Sequence, residues 1–182
     1  MLTEAQRLKL LAQFWNQGFA VITDFLTADD VKLVLRDPRR LPDSEHKPIF
    51  GKVHADIADP NRRQAPVALS ENAALLMVDQ NLIKLISELH PVASESWHVL
   101  KSLPNGQPQQ LHRDFPTFKT TLAIEKHEWV QASVLIALGA DANIIAAPGN
   151  FGGPVPRSKL VSLELTQGQM LLFRVYLAHA GT

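Results

Sequence analysis

Leu8, Leu11, Ala12 and Trp15 recur at helical spacing near the start of the chain. Thr3 and Gln6 ahead of them form the pattern of a capping box, and Gly18 behind them supplies a stop. This predicts an amphipathic helix. The next run, Phe19-Ala20-Val21-Ile22-Thr23-Asp24-Phe25-Leu26, is β-rich, and Thr27-Ala28-Asp29-Asp30 opens a second helix with acidic residues against its positive N-terminal end. From Asp37 to Ala68 no period is sustained among the Pro, Arg, Asp and His residues, which predicts long loops with one short strand around Ile49 to Val53. Helical spacing returns from Ser70 to His90, with Leu75, Leu82, Ile86 and Leu89 on one face, Ser70 as N-cap and Pro91 beyond the end. This is expected to be the longest helix.

After Pro91 the pattern changes to short β-like runs separated by Pro, Gly and Asn: 97–103, 111–115, 120–124, 129–138, 143–147, 159–165 and 169–177. Helices first and closely spaced strands afterwards predict an α+β protein, with helices packed on one face of a sandwich or jelly roll. We expect one domain over 1–182, its 1–91 part mainly helix and loop and its 92–182 part mainly strand.

Composition narrows the function classes. In 182 residues, 18 Lys and Arg balance 18 Asp and Glu, so no overall field draws the chain to nucleic acid or to an anionic membrane. The pairs Arg39-Arg40 and Arg62-Arg63 are short and lack interleaved aromatic residues, as solvated loop charges do. The absence of cysteine removes disulfides, thiolate zinc sites and a cysteine nucleophile together, so a metal here must use imidazole, carboxylate or water. With neither a signal-peptide pattern nor a membrane-length apolar run, the expected location is cytoplasmic.

His112-Arg113-Asp114 lies in an extended run, where residues two apart project from one face, so both side chains can reach one metal. His179 follows the apolar strand 170–176, in a segment that can pair with the first. Two imidazoles and one carboxylate leave three positions of an octahedron open, the arrangement of non-haem iron(II) oxygenases. By itself a His-x-Asp pair is more often a surface hydrogen-bonding pair than a metal site.

The wider context is more specific. Leu100-Lys101-Ser102-Leu103-Pro104, Gln109-Gln110-Leu111-His112-Arg113-Asp114-Phe115, Gly168-Gln169-Met170-Leu171-Leu172-Phe173 and His179-Ala180-Gly181 together resemble the iron(II)- and 2-oxoglutarate-dependent dioxygenase superfamily, near its prolyl-hydroxylase-like and phytanoyl-CoA-hydroxylase-like branches. The resemblance runs from about Trp97 to the last residue. It implies N-terminal helices packed on a double-stranded β-helix (jelly roll), with His112, Asp114 and His179 as the catalytic metal triad holding Fe(II). It also implies 2-oxoglutarate as co-substrate, consumed with O2 to give succinate and carbon dioxide as a C–H bond of a small molecule or peptide side chain is hydroxylated.

The superfamily anchors the far carboxylate of 2-oxoglutarate with a cation on a strand beyond the distal His. The sequence reaches only Thr182, so the expectation is a C-terminally incomplete jelly roll whose open strand edges favour a homo-oligomer. A fragment, an internal anchor and a domain that no longer uses 2-oxoglutarate all fit this. For an internal anchor the candidates are Lys119 and Lys101, then Arg174, each of which is more often a solvent-facing charge. Tyr176 is a candidate hydrogen-bond donor near the metal, or simply a packing residue.

The remaining histidines have ordinary readings. His98 is expected to face solvent, His127 to lie in a loop, His90 to sit at the end of the long helix, and His46 and His54 to lie in the loop region. Residues 148–154 form a turn cluster rather than a phosphate loop, since no Lys-Ser/Thr follows, and no Gly-x-Ser-x-Gly element is present. Against the oxygenase stand two alternatives: a non-catalytic jelly-roll binding module that retains a metal site, and a cupin-like metal enzyme that performs no oxidation. The single distal His beside His-x-Asp favours the oxygenase over the cupin.

Overall fold

The capping box forms as the sequence predicts. In the computed structural model, Thr3 Oγ1 accepts from the Gln6 backbone N–H at 3.3 Å, and the Gln6 side chain accepts from the Thr3 N–H at 2.8 Å. Helix α1 (Glu4–Gln17) then runs until Gly18 caps it in the left-handed region, φ 88°. A side chain is excluded at Gly18 twice over, because a Cβ there would lie 2.6 Å from the Phe151 ring. The structure describes residues 2–36, 47–48, 61–69, 73–87, 96–128 and 130–182. The expected strand at 49–53, the N-cap at Ser70 and residues His46, His54 and His90 lie outside them.

The chain divides into two compact units, one formed by residues 1–27 and 108–182 and the other by 28–107. In the first, α1 leads into β1 (Phe19–Ile22). Helix α4 (Thr117–His127) and strands β5 (Ala132–Ile136), β6 (Ala142–Ala146), β7 (Val161–Leu165), β8 (Met170–Arg174) and β9 (His179–Gly181) complete it. Two antiparallel three-stranded sheets result, β1-β8-β5 and β7-β6-β9. Phe19, Leu171 and Phe173 from the first sheet and Ile144, Ala146 and Leu165 from the second share one buried cluster. Alternate residues of β1, β6 and β8 therefore meet in a common apolar interior.

Gly168 turns the chain between β7 and β8 at φ 86°, and its amide oxygen accepts from the Leu26 N–H at 3.0 Å. A Cβ at this position would collide with the Leu26 carbonyl oxygen.

The second unit contains α2 (Ala28–Arg36), β2 (Lys47–Pro48), β3 (Arg62–Val67), α3 (Ala73–Ser87) and β4 (Trp97–Ser102), with the strands in order β2-β3-β4. Val31, Val34, Ala65, Leu75, Val78, Leu82 and Ile86 are buried in it, and Trp97 Nε1 donates to the buried Asp79 carboxylate at 2.8 Å. Strand β4 thus belongs with α2 and α3, whereas α1 and β1 belong with the later strands. No helix among the described residues is long and apolar enough to cross a membrane.

The α+β class holds, and several elements differ from expectation: the run 111–115 forms no strand, only a single bridge at His112, and two differences are larger. Residues 120–124 are helical, in the middle of α4. Thr120, Thr121 and Ile124 have the β-branched look of a strand, but both threonine hydroxyls donate back to the Thr117 carbonyl, at 2.8 and 2.9 Å, and so are satisfied within the helix. His127 consequently ends a helix rather than sitting in a loop. The other difference is β3, which lies where the sequence predicts only loop. Its Pro66, a residue with no N–H to give to a ladder, hides the strand from a sequence pattern, yet Pro66 pairs with His98 within the continuous β3–β4 register from Arg62 to Val67.

Candidate metal centre

The His112 backbone forms an isolated antiparallel bridge with His179, each N–H donating to the other's carbonyl at 2.9 Å. On its far side His179 pairs with Ala146 of β6. A directly opposed pair on an antiparallel ladder projects its side chains from the same face, and the two rings lie with centroids 4.5 Å apart. Asp114, two residues on, brings Oδ1 to 3.6 Å from His179 Nε2 and 3.9 Å from His112 Nε2. The three residues offer donor atoms that all lie within 4.8 Å of one another.

The outer partners set which atoms face inward. His112 Nδ1 lies 2.8 Å from the Gln110 carbonyl oxygen and His179 Nδ1 lies 3.0 Å from that of Leu177. A carbonyl oxygen can only accept, so in the neutral imidazole Nδ1 carries the proton and Nε2 presents its lone pair, as a metal ligand must. The Asp114 carboxylate is fixed likewise, Oδ2 accepting from Ser133 Oγ at 2.8 Å while Oδ1 faces the imidazoles. Burial holds the His112 imidazole below the usual histidine range, an effect that the neighbouring His179 reinforces and the Gln110 carbonyl and Asp114 oppose. The two histidine side chains are 5% and 10% exposed and that of Asp114 is 22% exposed, which leaves the carboxylate side as the open one. Two buried imidazoles that present Nε2 beside one carboxylate suit a divalent first-row cation.

Arg113, between the two ligands of the His-x-Asp run, faces the other way. Its Nε donates to the Tyr176 carbonyl at 3.0 Å, and Nη2 donates to Asn150 Oδ1 at 2.8 Å and to the Gly153 carbonyl at 3.1 Å. The 148–154 turn cluster is therefore the seat of a clamp that ties the ligand-bearing segment down. No local pattern in the sequence gives Arg113, Ser133 or the Gln110 and Leu177 carbonyls their roles. Only the alternation of His112, Arg113 and Asp114 hinted that Arg113 must turn away from the metal.

The candidates for a co-substrate anchor have different surroundings. Arg174 ends β8 on the face opposite Phe173, whose ring lies 4.7 Å from that of His179. Its guanidinium sits among Trp15, Phe151 and Tyr176 at 4.6, 4.7 and 4.9 Å from the ring centroids, and donates to the Trp15 carbonyl at 3.3 Å. Its charge is thus already matched by aromatic faces and one carbonyl, and burial lowers its pKa. Tyr176 is buried in the same cage, where burial raises its phenol pKa. Lys119 is exposed on α4 of the metal-bearing unit, and Lys101 lies on β4 of the other unit, opposite Arg63. His98 is exposed on β4, as expected.

Solved structures resemble the chain, three of them as follows. The non-heme alpha ketoglutarate dependent epimerase SnoN from nogalamycin biosynthesis superposes with a TM-score of 0.74 at 17% identity, covering 98% of this chain and 75% of its own. HygX from Streptomyces hygroscopicus, solved with nickel and 2-oxoglutarate bound, gives 0.70 at 16% identity, covering 100% and 81%. A Pseudomonas putida prolyl-4-hydroxylase gives 0.63 at 14% identity, covering 97% and 91%. The chain shares their fold. No family model matches the sequence, and no curated protein matches it.

Proposed function

We propose that this protein is an iron(II)- and 2-oxoglutarate-dependent oxygenase on a double-stranded β-helix, with His112, Asp114 and His179 as its metal ligands. The observation that carries the reading is the convergence of two Nε2 atoms and one carboxylate oxygen, each held from behind by a partner of its own. The likeness in fold to proteins described with 2-oxoglutarate and a metal supports it.

Iron(II) on this triad would supply the activation of dioxygen for oxidising a C–H bond, with 2-oxoglutarate as the reducing co-substrate. The protein's own part is to position and to shield. The Gln110 and Leu177 carbonyls hold both imidazoles in the orientation that presents Nε2, and three protein donors leave room for a chelating keto acid and for dioxygen. Phe173 covers one side of His179, and Leu135 and Leu171, paired across β5 and β8, extend the dry wall behind it. Water is thereby excluded on the interior side while the Asp114 side stays open to a substrate, either a small molecule or a peptide side chain. For the distal carboxylate of 2-oxoglutarate the candidate is Lys119, on the helix that follows Asp114.

The test is metal stoichiometry under anaerobic conditions. Wild type and His127→Ala should each bind one iron(II) per chain, whereas His112→Ala and His179→Ala should bind none at the same concentration. Equal iron content in all four would overturn the ligand assignment.

A further inference from the structure

The two oxygens of the Asp114 carboxylate have different partners. Oδ1 faces both imidazoles, while Oδ2 accepts the Ser133 hydroxyl at 2.8 Å. Ser133 comes from a different strand than the ligands and is placed by the β5–β8 ladder, where it pairs with Phe173. Around it β5 reads Ala132, Val134, Leu135 and Ile136, so Ser133 is the one polar side chain of that strand. It is half-buried, on the same face as Leu135, which packs against the shared core. An apolar residue would fit such a position without any hydrogen-bonding demand, and the hydroxyl finds its partner on the carboxylate.

We propose that Ser133 is a positioning residue that restricts Asp114 to one-oxygen ligation, and so reserves a coordination position for the co-substrate and dioxygen. The inference rests on the metal reading above. An octahedral ion that carries two imidazoles, one carboxylate oxygen, a two-atom chelate and dioxygen is full. A carboxylate free to rotate can present both oxygens and occupy the position one of those needs. With Oδ2 held on Ser133, that rotation means breaking a charge-assisted hydrogen bond. The same bond fixes the direction of Oδ1, as outer partners of metal ligands do.

The full chain is titrated with cobalt(II), and the carboxylate region of the infrared difference spectrum, metal-loaded minus metal-free, is recorded for wild type, Ser133→Ala and Ser133→Thr. A carboxylate bound through one oxygen shows a wide separation of its antisymmetric and symmetric stretches, and a chelating one a narrow separation. The expected result is a wide separation in wild type and in Ser133→Thr. In Ser133→Ala it should be narrow, with cobalt affinity lower by about tenfold. Thermal unfolding of the metal-free proteins should separate the two variants little, so that the Thr rescue reports on the hydroxyl and not on folding. A narrow separation already present in wild type overturns the proposal, as does Ser133→Ala with unchanged separation and affinity. Wild type that binds no cobalt overturns the metal reading and this inference together, whereas normal cobalt binding with an unaltered Ser133→Ala overturns the role of Ser133 alone.

Discussion

Removing the Arg113 side chain should loosen the metal centre without touching a ligand. Three N–H donors of one guanidinium hold the Tyr176 carbonyl, Asn150 Oδ1 and the Gly153 carbonyl at 3.0, 2.8 and 3.1 Å. Hydrogen bonds from a charged group contribute about 1.5–3 kcal/mol each, and truncating the donor leaves its acceptors unpaired. The three share one half-buried side chain and are not additive, so Arg113→Ala should cost about 2–4 kcal/mol, the low end reflecting solvent access. For a chain of this size that is a fall of roughly 5–15 °C in melting temperature. Lysine offers a point charge in place of a planar fork and can reach few of three separated acceptors, so Arg113→Lys should recover only about 1 kcal/mol. Urea unfolding of the metal-free variants measures these values, and a cobalt titration should show about tenfold weaker binding in Arg113→Ala, the usual effect of losing a ligand's outer support. A stability change under about 0.5 kcal/mol, the range of ordinary surface substitutions, would refute the clamp.

Two further outcomes follow from the cage and from His112. Arg174→Ala empties a space lined by Trp15, Phe151 and Tyr176 and should destabilise the metal-free protein by about 2–4 kcal/mol; wild-type stability with lost 2-oxoglutarate binding would instead make Arg174 an anchor. Because burial lowers the folded-state pKa of His112 from the ordinary 6.5, its neutral form is favoured in the folded chain, and its contribution is present above pH 6.5 and lost as pH falls through the lowered folded value. Metal-free wild type should therefore lose stability on acidification through that range more steeply than His112→Gln, as measured by urea unfolding at a series of pH values; identical slopes would contradict this.

The parts of the molecule visible in the sequence are those in which a local pattern carries the physical cause. The capping box at Thr3 and Gln6, the stop at Gly18 and the spacing of Leu75, Leu82 and Ile86 are each decided within one helix. The meeting of His112 with His179 was legible mainly through the family resemblance, since a His-x-Asp pair alone is more often a surface pair and the segment at His179 offered only the possibility of pairing with it. Elsewhere the deciding partner is distant. Strand β3 depends on β4 to pair with Arg62–Val67, and nothing near Pro66 signals it. The helix at 117–127 satisfies its threonine hydroxyls on the Thr117 carbonyl, an outcome that β-branched composition disguises. Ser133 and Arg113 take their meaning from Asp114, Tyr176, Asn150 and Gly153, whose positions only the folded sheets supply. Arg174 read as a candidate for an anion because its aromatic partners are scattered over Trp15, Phe151 and Tyr176.

The most direct test of the central claim is an anaerobic titration of the chain with iron(II) and then 2-oxoglutarate, following the weak visible charge-transfer band that such a chelate gives. A saturable band is expected in wild type and none in Asp114→Ala. Iron(II) binding with no band at any 2-oxoglutarate concentration would contradict the oxygenase assignment and leave a metal-binding module in its place.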